Sequence, residues 1–328
     1  MVKQISIKEA LKLDCTFVDV RAPIEFEEDH IPKAISLPLL SDEQRAIVGT
    51  LYKQKSSGEA YAKGFEYIMP KAKSLHDSLM NIKKPIIVYC WRGGLRSKII
   101  VSLVEAERED VYQLKGGHKS YREYVRTTLE KYKLNQKVFV LNGYSCVNKT
   151  KILNELPNAI DLEGLAQHRG SVFGAMGLKP RTQKMFESLL LQRLNELENE
   201  KFIVLEGESA KIGDLHVPKF LFSKMQKGIN ILIKMPVEER MRIFIEEYKI
   251  FDKKEEFLRI LKGLEKRVGK KNVEEIEKLL LLDDLIGACR ILFEKYYDPL
   301  YDYSLKKLNF AFVVEKDYVK NIKSFLKK

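Results

Sequence analysis

The sequence has few cysteines and no long apolar run. Its four cysteines, Cys15, Cys90, Cys146 and Cys289, lie far apart and form no Cys-x-x-Cys pair, so we expect neither a disulfide framework nor a zinc site. No apolar stretch reaches the roughly 20 residues that a transmembrane helix needs. The opening residues MVKQISIKEALKLD lack the apolar core and cleavage site of a signal peptide. We therefore expect a cytoplasmic protein with no membrane partner and no metal bound by its own side chains.

Acidic residues are also fewer than basic residues. The 328 residues include 46 Asp and Glu against 58 Lys and Arg, which gives a formal net charge of +12 and a sequence pI near 9.2. Such a charge favours an acidic partner, most often nucleic acid, although lysine-rich surfaces also occur without one. With 45% hydrophobic and 32% charged residues, the chain is globular, and its length indicates two domains or slightly more.

A buried-strand run ends at Cys90 and passes directly into a glycine-containing loop. Residues 86–89 are apolar or aromatic, and the loop WRGGLR then opens another apolar segment, KIIVSLV. The glycines let backbone N–H groups curl around the sulfur, while the arginines and the next helix add positive charge. Such a cradle favours a nucleophilic thiolate over an inert cysteine. This candidate site comprises Cys90 as the catalytic residue and the loop residues Trp91, Arg92, Gly93, Gly94, Arg96 and Ser97.

The residues around this loop alternate between strand and helix patterns. Alternation of this kind predicts a parallel sheet with its ligand site at the carboxyl ends of the strands. Asp19, Arg21 and Gly116-Gly117 would then gather near Cys90, with Asp19 and Arg21 in supporting roles. The predicted strands lie at 16–21, 34–39, 85–90 and 110–117, and the predicted helices at 41–55, with Ser41 as N-cap, at 58–80 and from Ser97 onward.

Three sequence stretches together resemble a rhodanese domain. They are DVRAPIEFEEDHIPKAISLPL, YCWRGGLRS and LKGGHKSYREYV. The resemblance implies a domain at 1–132 that carries sulfur or selenium on Cys90. The Cys-x5-Arg spacing from Cys90 to Arg96 also resembles dual-specificity phosphatases of the same fold, so the nucleophile has two possible targets: phosphorus, or sulfur and selenium.

A second domain begins where the composition changes to QKVFVLNGYSCVNKTKIL. The strand KVFVLNG leads into GYSCVNKT, which matches a phosphate-binding loop except that Asn148 replaces the second glycine. Asparagine is the least unfavourable non-glycine residue for a positive φ, so the loop can still form. Lys149 would then contact phosphate, and Thr150 would contact phosphate or a magnesium ion. The alternative is a loop that keeps only a structural role. The predicted phosphate-binding residues are Gly143, Ser145, Asn148, Lys149 and Thr150.

Later segments add polar side chains to this second domain. The strand KFIVLEGES ends in Glu206 and Glu208, as in a Walker B arrangement, where a carboxylate handles metal or water. Singly, each residue has a simpler explanation, since His168 could be a hydrogen-bonded loop residue and Glu206 could cap a loop. The candidate residues of this second site are Glu163, His168, Arg169, Ser171, Gln183, Glu206, Glu208 and Ser209.

Together these segments resemble the tRNA 2-selenouridine synthase family, in which a rhodanese domain is fused to a P-loop domain. The matching stretches include DLEGLAQHRGSVFG and PRTQKMFE, and the resemblance extends to YYDPLYDYSL. It implies an α/β protein with a P-loop NTPase-like domain at 136–235 and a mostly helical region at 236–328 packed on it. It also implies conversion of wobble 2-thiouridine in tRNA to 2-selenouridine through an S-geranylated intermediate. The resemblance further implies geranyl diphosphate and selenophosphate as substrates and no tightly bound cofactor, with magnesium as an option.

The region after Pro236 is charged and helical, with a closing strand, FAFVVE, and a basic tail. Interleaved basic and tyrosine residues suit contact with a tRNA backbone, but a solvated helical face would have the same pattern. Two other function classes remain open for the whole chain: a rhodanese-fold sulfurtransferase or phosphatase, and an RNA-binding scaffold with two inactive sites. The residues considered for tRNA contact are Arg240, Arg242, Lys249, Arg259, Lys262, Arg267, Lys270, Lys271, Tyr296, Tyr297 and Tyr301.

Overall fold

The chain forms two compact units in the computed structural model, which describes residues 2–327. The first unit comprises Met1–Lys131 and Glu187–Gln192, and the second comprises Tyr132–Phe186 and Arg193–Lys328. The expected outer domain limits, residues 1 and 328, lie outside the described residues.

A five-stranded parallel sheet forms the centre of the first unit. The strand order is β1-β5-β4-β2-β3, and every neighbouring pair is parallel. The strands are β1 (Gln4–Ile5), β2 (Thr16–Asp19), β3 (Ile35–Ser36), β4 (Ile86–Tyr89) and β5 (Val111–Leu114). The helices are α1 (Ile7–Ala10), α2 (Pro23–Glu28), α3 (Asp42–Gln54), α4 (Ser57–Ile68), α5 (Ala72–Met80), α6 (Leu95–Val104) and α7 (Gly117–Lys131).

Local sequence signals explain most of these boundaries. Ser41 caps α3, and its hydroxyl accepts a hydrogen bond from the Gln44 N–H at 3.2 Å. The single helix predicted at 58–80 is wrong, because α4 and α5 are separated by a 3-10 turn, Met69–Lys71. Pro70 lies in that turn and has no N–H to continue an α-helix. The helix after the Cys90 loop begins at Leu95, two residues earlier than predicted.

A second five-stranded parallel sheet forms the centre of the second unit. Its order is β12-β11-β6-β8-β7, and β9 and β10 form a separate antiparallel pair. The strands are β6 (Lys137–Gly143), β7 (Ala159–Ile160), β8 (Phe202–Glu206), β9 (Lys211–Ile212), β10 (Leu215–His216), β11 (Ile229–Ile233) and β12 (Phe310–Val314).

Helices make up the rest of the second unit. They are α8 (Lys149–Asn154), α9 (Leu162–Ala166), α10 (Gln183–Glu196), α11 (Lys219–Gln226), α12 (Val237–Glu247), α13 (Lys254–Gly263), α14 (Glu265–Val268), α15 (Lys270–Leu281), α16 (Leu285–Leu292), α17 (Asp298–Leu305) and α18 (Tyr318–Leu326), with a π-helical turn at Phe293–Tyr297. Residues Glu187–Gln192 in the middle of α10 belong to the first unit.

Each sheet packs its apolar residues into a core of its own. Val18, Val88 and Ile100 belong to the core of the first unit, and Leu141 and Val204 to the sheet core of the second. Helices α12 to α16 and the π-helical turn enclose a further core, and β12 returns the chain to the second sheet. The expected α/β class, with two parallel sheets and C-terminal helices, is confirmed. None of the helices between residues 2 and 327 has the length and apolar character of a membrane span.

Candidate functional site

Cys90 lies immediately after β4, buried within the loop that the sequence singles out. Its sulfur accepts a hydrogen bond from the Gly94 N–H at 3.2 Å and lies 3.3 Å from the Ser97 hydroxyl oxygen. The Gln113 side-chain amide braces the loop from β5 by donating to the carbonyl oxygens of Gly93 and Gly94, each at 2.9 Å, and to the Ser97 hydroxyl at 2.8 Å. The thiol therefore faces two hydrogen-bonding groups in a rigid loop.

Two glycines allow the backbone around Cys90 to pack this tightly. Gly93 and Gly117 have φ angles of +65° and +58°, which lie in the left-handed region that glycine tolerates best. A Cβ on Gly117 would lie 2.2 Å from the Cys90 carbonyl oxygen, and one on Gly93 would lie 2.6 Å from the Leu114 carbonyl oxygen. The double glycine after β5 is thus part of the wall of the thiol site.

Arg96 is paired with a carboxylate. Its Nη1 atom donates to Glu25 Oε2 at 2.9 Å, and Arg45 lies 3.6 Å from the same oxygen. Burial acts to raise the pKa of Glu25, but the charge and hydrogen bond of Arg96 outweigh it, so the pKa lies below its ordinary value. Glu25 therefore holds one nitrogen of the Arg96 guanidinium at the end of the Cys90 loop, and the Arg96 side chain remains 27% exposed.

Asp19 and Arg21 form a buried ion pair at the end of β2. Arg21 donates to both carboxylate oxygens of Asp19, at distances between 2.6 and 3.0 Å, and to the Asp29 carbonyl oxygen at 2.6 Å. The Val20 N–H donates to the Tyr89 carbonyl oxygen, so this end of β2 lies beside the strand end that carries Cys90. The ion pair therefore ties the end of β2 to Asp29, the residue that follows α2.

The phosphate-loop sequence of the second unit forms a loop between β6 and α8. Cys146 and Asn148 have φ angles of +61° and +59°, both in the left-handed region. The sequence predicts this conformation for Asn148. Gly143 ends β6 where a Cβ would lie 2.8 Å from the Ile233 carbonyl oxygen. The loop has therefore formed without its second glycine.

Lys149 lies beside a group of carboxylates. Burial acts to lower its pKa, but the neighbouring Tyr301 and the carboxylates of Glu163, Glu208 and Glu206 outweigh burial, so the pKa of Lys149 is raised and the side chain carries a charge. The positive charge that the loop needs for an anionic ligand is therefore present and held by acidic neighbours.

The carboxylates themselves are pushed towards the protonated form. Burial, followed by repulsion from Glu208, raises the pKa of Glu163 to about 8, although Lys149 opposes this change. Burial, with the nearby acids, also raises the pKa of Glu206 well above its ordinary value. Glu163 and Glu208 repel each other when both are charged, and a proton on one of the two carboxyls relieves this repulsion. Glu206 accepts a hydrogen bond from the Glu163 N–H at 2.7 Å, and its other oxygen is buried without a partner within residues 2–327.

A cavity of about 300 Å³ opens beside the phosphate loop, and Glu163 lines it, whereas the predicted residues Glu206 and Glu208 are not among its lining residues. The lining residues that sequence reasoning did not assign to this site include Asp161, Tyr248 and Tyr301. Tyr248 and Tyr301 lie far along the chain from the loop, and no local motif marks them. The Thr150 hydroxyl oxygen lies 3.4 Å from Glu163 Oε2. This hydroxyl would coordinate a magnesium ion bound at the loop. Across the described part of the chain, no three His, Cys, Asp or Glu side chains are arranged to hold a metal by themselves.

Comparison with known proteins decides the family. The model of the rhodanese-like domain matches residues 4–124, and that of the tRNA 2-selenouridine synthase AAA domain matches residues 136–328. A curated tRNA 2-selenouridine synthase from Hydrogenovibrio crunogenus is 35% identical over 88% of this chain and 89% of that protein. One from Sulfurovum sp. is 31% identical over 94% of each. The chain belongs to the tRNA 2-selenouridine synthase family.

The match to this family covers both units. The family expected from the sequence is thereby confirmed, and so is the order of a rhodanese-like domain before the AAA domain. A solved N-terminal domain of a Clostridium difficile 630 protein is 44% identical over 38% of this chain and 98% of that chain. Its TM-score of 0.36 is too low to add to the description of the fold.

Some predicted residues lie away from the phosphate-loop cavity of this tRNA 2-selenouridine synthase family member. His168 and Ser171 line a separate cavity of about 500 Å³, although Arg169 does reach the phosphate-loop cavity. The Gln183 amide exchanges hydrogen bonds with the backbone of His216, and Ser209 bonds within its own turn to the backbone of Lys211. Gln183 and Ser209 thus hold loops in place.

The set of residues considered for tRNA contact is only partly exposed. Arg240 is buried and donates to both carboxylate oxygens of Asp298 at 2.8 Å, and Tyr296 and Tyr297 are buried in the helical core. For these three residues the expectation of RNA contact is wrong, because their side chains complete the core. The exposed members are Arg242, Lys249, Arg259, Lys262, Arg267, Lys270 and Lys271.

Proposed function

We propose that this protein is a cytoplasmic tRNA 2-selenouridine synthase that replaces the sulfur of wobble 2-thiouridine by selenium through an S-geranylated intermediate. The observation that carries the proposal is the presence of two different sites in one family member. One is a cradled thiol at Cys90, and the other pairs a charged Lys149 with carboxylates beside a phosphate loop. Two sites suit a reaction with two steps.

The first step is alkylation at the phosphate-loop cavity. The sulfur of 2-thiouridine attacks C1 of geranyl diphosphate, the C1–O bond breaks, and the diphosphate leaves. Lys149 and Thr150 hold the leaving diphosphate, whose negative charge grows as the bond breaks. Magnesium, when bound by Thr150 and by oxygens of the substrate, would neutralise part of that charge.

Alkylation of the sulfur also requires loss of a proton from N3 of the base. Glu163 is suited to accept it, because burial and Glu208 raise the pKa of Glu163 to about 8, close to a working pH. An acceptor with that pKa takes the proton during the reaction and returns it to solvent afterwards. This role also explains why acidic side chains gather where an anionic substrate is bound.

The second step takes place at Cys90. The Cys90 thiolate attacks the phosphorus of selenophosphate, the P–Se bond breaks, and hydrogen selenide leaves, while the phosphoryl group stays on the cysteine until water removes it as phosphate. The selenide then attacks C2 of the alkylated base. The C2–S bond then breaks, and the sulfur leaves with its hydrocarbon chain as a thiol. The Gly94 N–H and the Ser97 hydroxyl, 3.2 and 3.3 Å from the Cys90 sulfur, stabilise a negative charge there.

Variants that separate the steps test the proposal. Each protein is incubated with tRNA, geranyl diphosphate and selenophosphate, and the digested nucleosides are analysed by liquid chromatography and mass spectrometry. We expect Cys90→Ala to accumulate S-geranyl-2-thiouridine without 2-selenouridine, and Lys149→Ala to form neither. The control is Cys15→Ala, which removes another free thiol of the first unit. Normal selenouridine from Cys90→Ala would refute the role of the thiol, and normal geranylation by Lys149→Ala would refute that of the phosphate loop.

A further inference from the structure

A large apolar cavity lies beside the Cys90 sulfur. Its volume is about 810 Å³, and it is lined by the Cys90 loop, α3, α4 and the start of α6. This volume lies within the range of about 300 to 1,000 Å³ that is usual for small-molecule sites. Most of its wall is apolar, with Val48, Tyr61, Phe65, Ile68, Leu95 and Ile99 among the lining residues.

The walls of this cavity leave apolar surface open to solvent. Helix α3 has no fully buried residue along its 13 residues. Tyr61, Phe65 and Leu95 are 46%, 45% and 39% exposed, although all three line the same cavity. Contiguous exposed apolar surface marks a binding site more often than an unused face. Selenophosphate is small and anionic, so it accounts for the loop around the thiol and leaves the apolar walls unexplained.

We propose that this cavity binds the hydrocarbon chain that the tRNA base carries on its sulfur during the selenium step. The inference rests on the proposed function, since that step is the one in which an alkylated base meets Cys90. The ten-carbon chain of the intermediate is apolar and of a size that such a cavity admits. The hydrocarbon chain enters the cavity beside the thiol, because Cys90, Trp91 and Leu95 are among the lining residues.

The rim of the cavity suits the rest of the substrate. Arg45, Lys53 and Arg92 contribute to the lining and are exposed, so their charges can meet the phosphates of the tRNA strand that carries the base. The chain then leaves the base as part of a thiol when selenium attacks C2. Holding the chain fixes the departing sulfur and the reacting carbon relative to Cys90.

Two glycines in α4 provide a matched pair of variants. Gly64 is buried and lines the cavity, and a Cβ added there meets no atom within 4 Å. Gly64→Leu therefore adds apolar volume at the cavity wall from a position where the first added carbon is unobstructed, and leucine has a higher helix propensity than glycine. Gly58 is in the same helix, is exposed and does not line the cavity. Gly58→Leu adds the same side chain to α4 and leaves the cavity unchanged.

Binding is measured through Trp91, the single tryptophan of the chain, which lines the cavity. The probe is the nucleoside S-geranyl-2-thiouridine, with 2-thiouridine as the comparison. We expect the geranylated nucleoside to change the Trp91 fluorescence of the full-length protein and 2-thiouridine to have little effect. Filling the space of a few methylene groups should weaken binding by roughly tenfold or more in Gly64→Leu, and Gly58→Leu should bind like the parent. Equal affinity of the parent and Gly64→Leu would overturn the proposal.

A kinetic measurement separates failure of the cavity from failure of the proposed function. The proteins receive selenophosphate and tRNA whose wobble base carries either an S-geranyl or an S-methyl group. We expect Gly64→Leu to raise KM for the geranylated tRNA and to leave the S-methyl reaction unchanged. An equal KM increase for both substrates would overturn the assignment of the chain to this cavity. If the parent forms no selenouridine from either substrate while the fluorescence still reports geranyl binding, the proposed function fails and the alkyl site stands.

Discussion

Replacing Glu163 by Gln should stabilise the second unit at alkaline pH and abolish its alkylation activity. Burial and repulsion from Glu208 raise the pKa of Glu163 from an ordinary 4.5 to about 8. The folded state therefore binds this proton more tightly than the unfolded state. The resulting stabilisation is fully present below pH 4.5 and is lost as the pH rises through about 8.

The size of the effect follows from the same two pKa values. A rise from 4.5 to about 8 corresponds to about 4 to 5 kcal/mol of unfolding free energy when the full difference is counted. Glu163 is half-buried, so water screens part of this interaction. We therefore expect the parent to lose about 2 kcal/mol of stability between pH 5 and pH 8 through this group. Glu163→Gln cannot titrate there and should not show that loss.

Urea unfolding of the full-length protein in EDTA at pH 5, 6.5 and 8 measures this difference. Far-UV circular dichroism follows both units, and the fluorescence of Trp91 follows only the first, which serves as an internal control. The alkylation rate of the parent should rise with pH through about 8, as expected for a base with that pKa, and should be lost in Glu163→Gln. Parallel loss of second-unit stability in the parent and the variant would show that Glu163 is not its source.

Two further predictions concern tRNA binding and the thiol loop. Exposed cations such as Arg242 and Lys262 would release counterions from RNA phosphates when tRNA binds. The logarithm of the tRNA association constant should therefore fall by about 0.7 to 0.9 per contact for each tenfold increase in salt concentration. A filter-binding titration in which the affinity does not change with salt would exclude these contacts. Gly117→Ala places a Cβ 2.2 Å from the Cys90 carbonyl oxygen at a positive φ, so it should cost the first unit about 2 kcal/mol or more in urea unfolding followed by Trp91 fluorescence and should slow selenium transfer. Gly94→Ala is its control, since a Cβ there meets nothing within 4 Å, and equal stability of the two variants would contradict the close packing of the loop.

The sequence by itself determined the features that depend on neighbouring residues. The apolar runs ending at Cys90 and Gly143 predict strands followed by ligand-binding loops, and both loops form where predicted. The positive φ at Asn148 follows from the side chain that asparagine offers in place of glycine. These signals can be read from sequence because strand, turn and cap are decided within a few residues. The motifs and their spacing also identified the protein family from the sequence.

Only the tertiary structure decided which distant side chains complete each site. Gln113 and Glu25 brace the Cys90 loop from β5 and α2, and nothing near either residue in the sequence indicates that contact. Arg240 fits the pattern of a surface cation, but Asp298 lies 58 positions away in the chain and pairs with it in the core. Such partners are set by the packing of whole elements, and packing depends on long-range contacts that local periodicity does not encode. The cavity between α3, α4 and the Cys90 loop has the same origin, because its walls come from three separate parts of the chain.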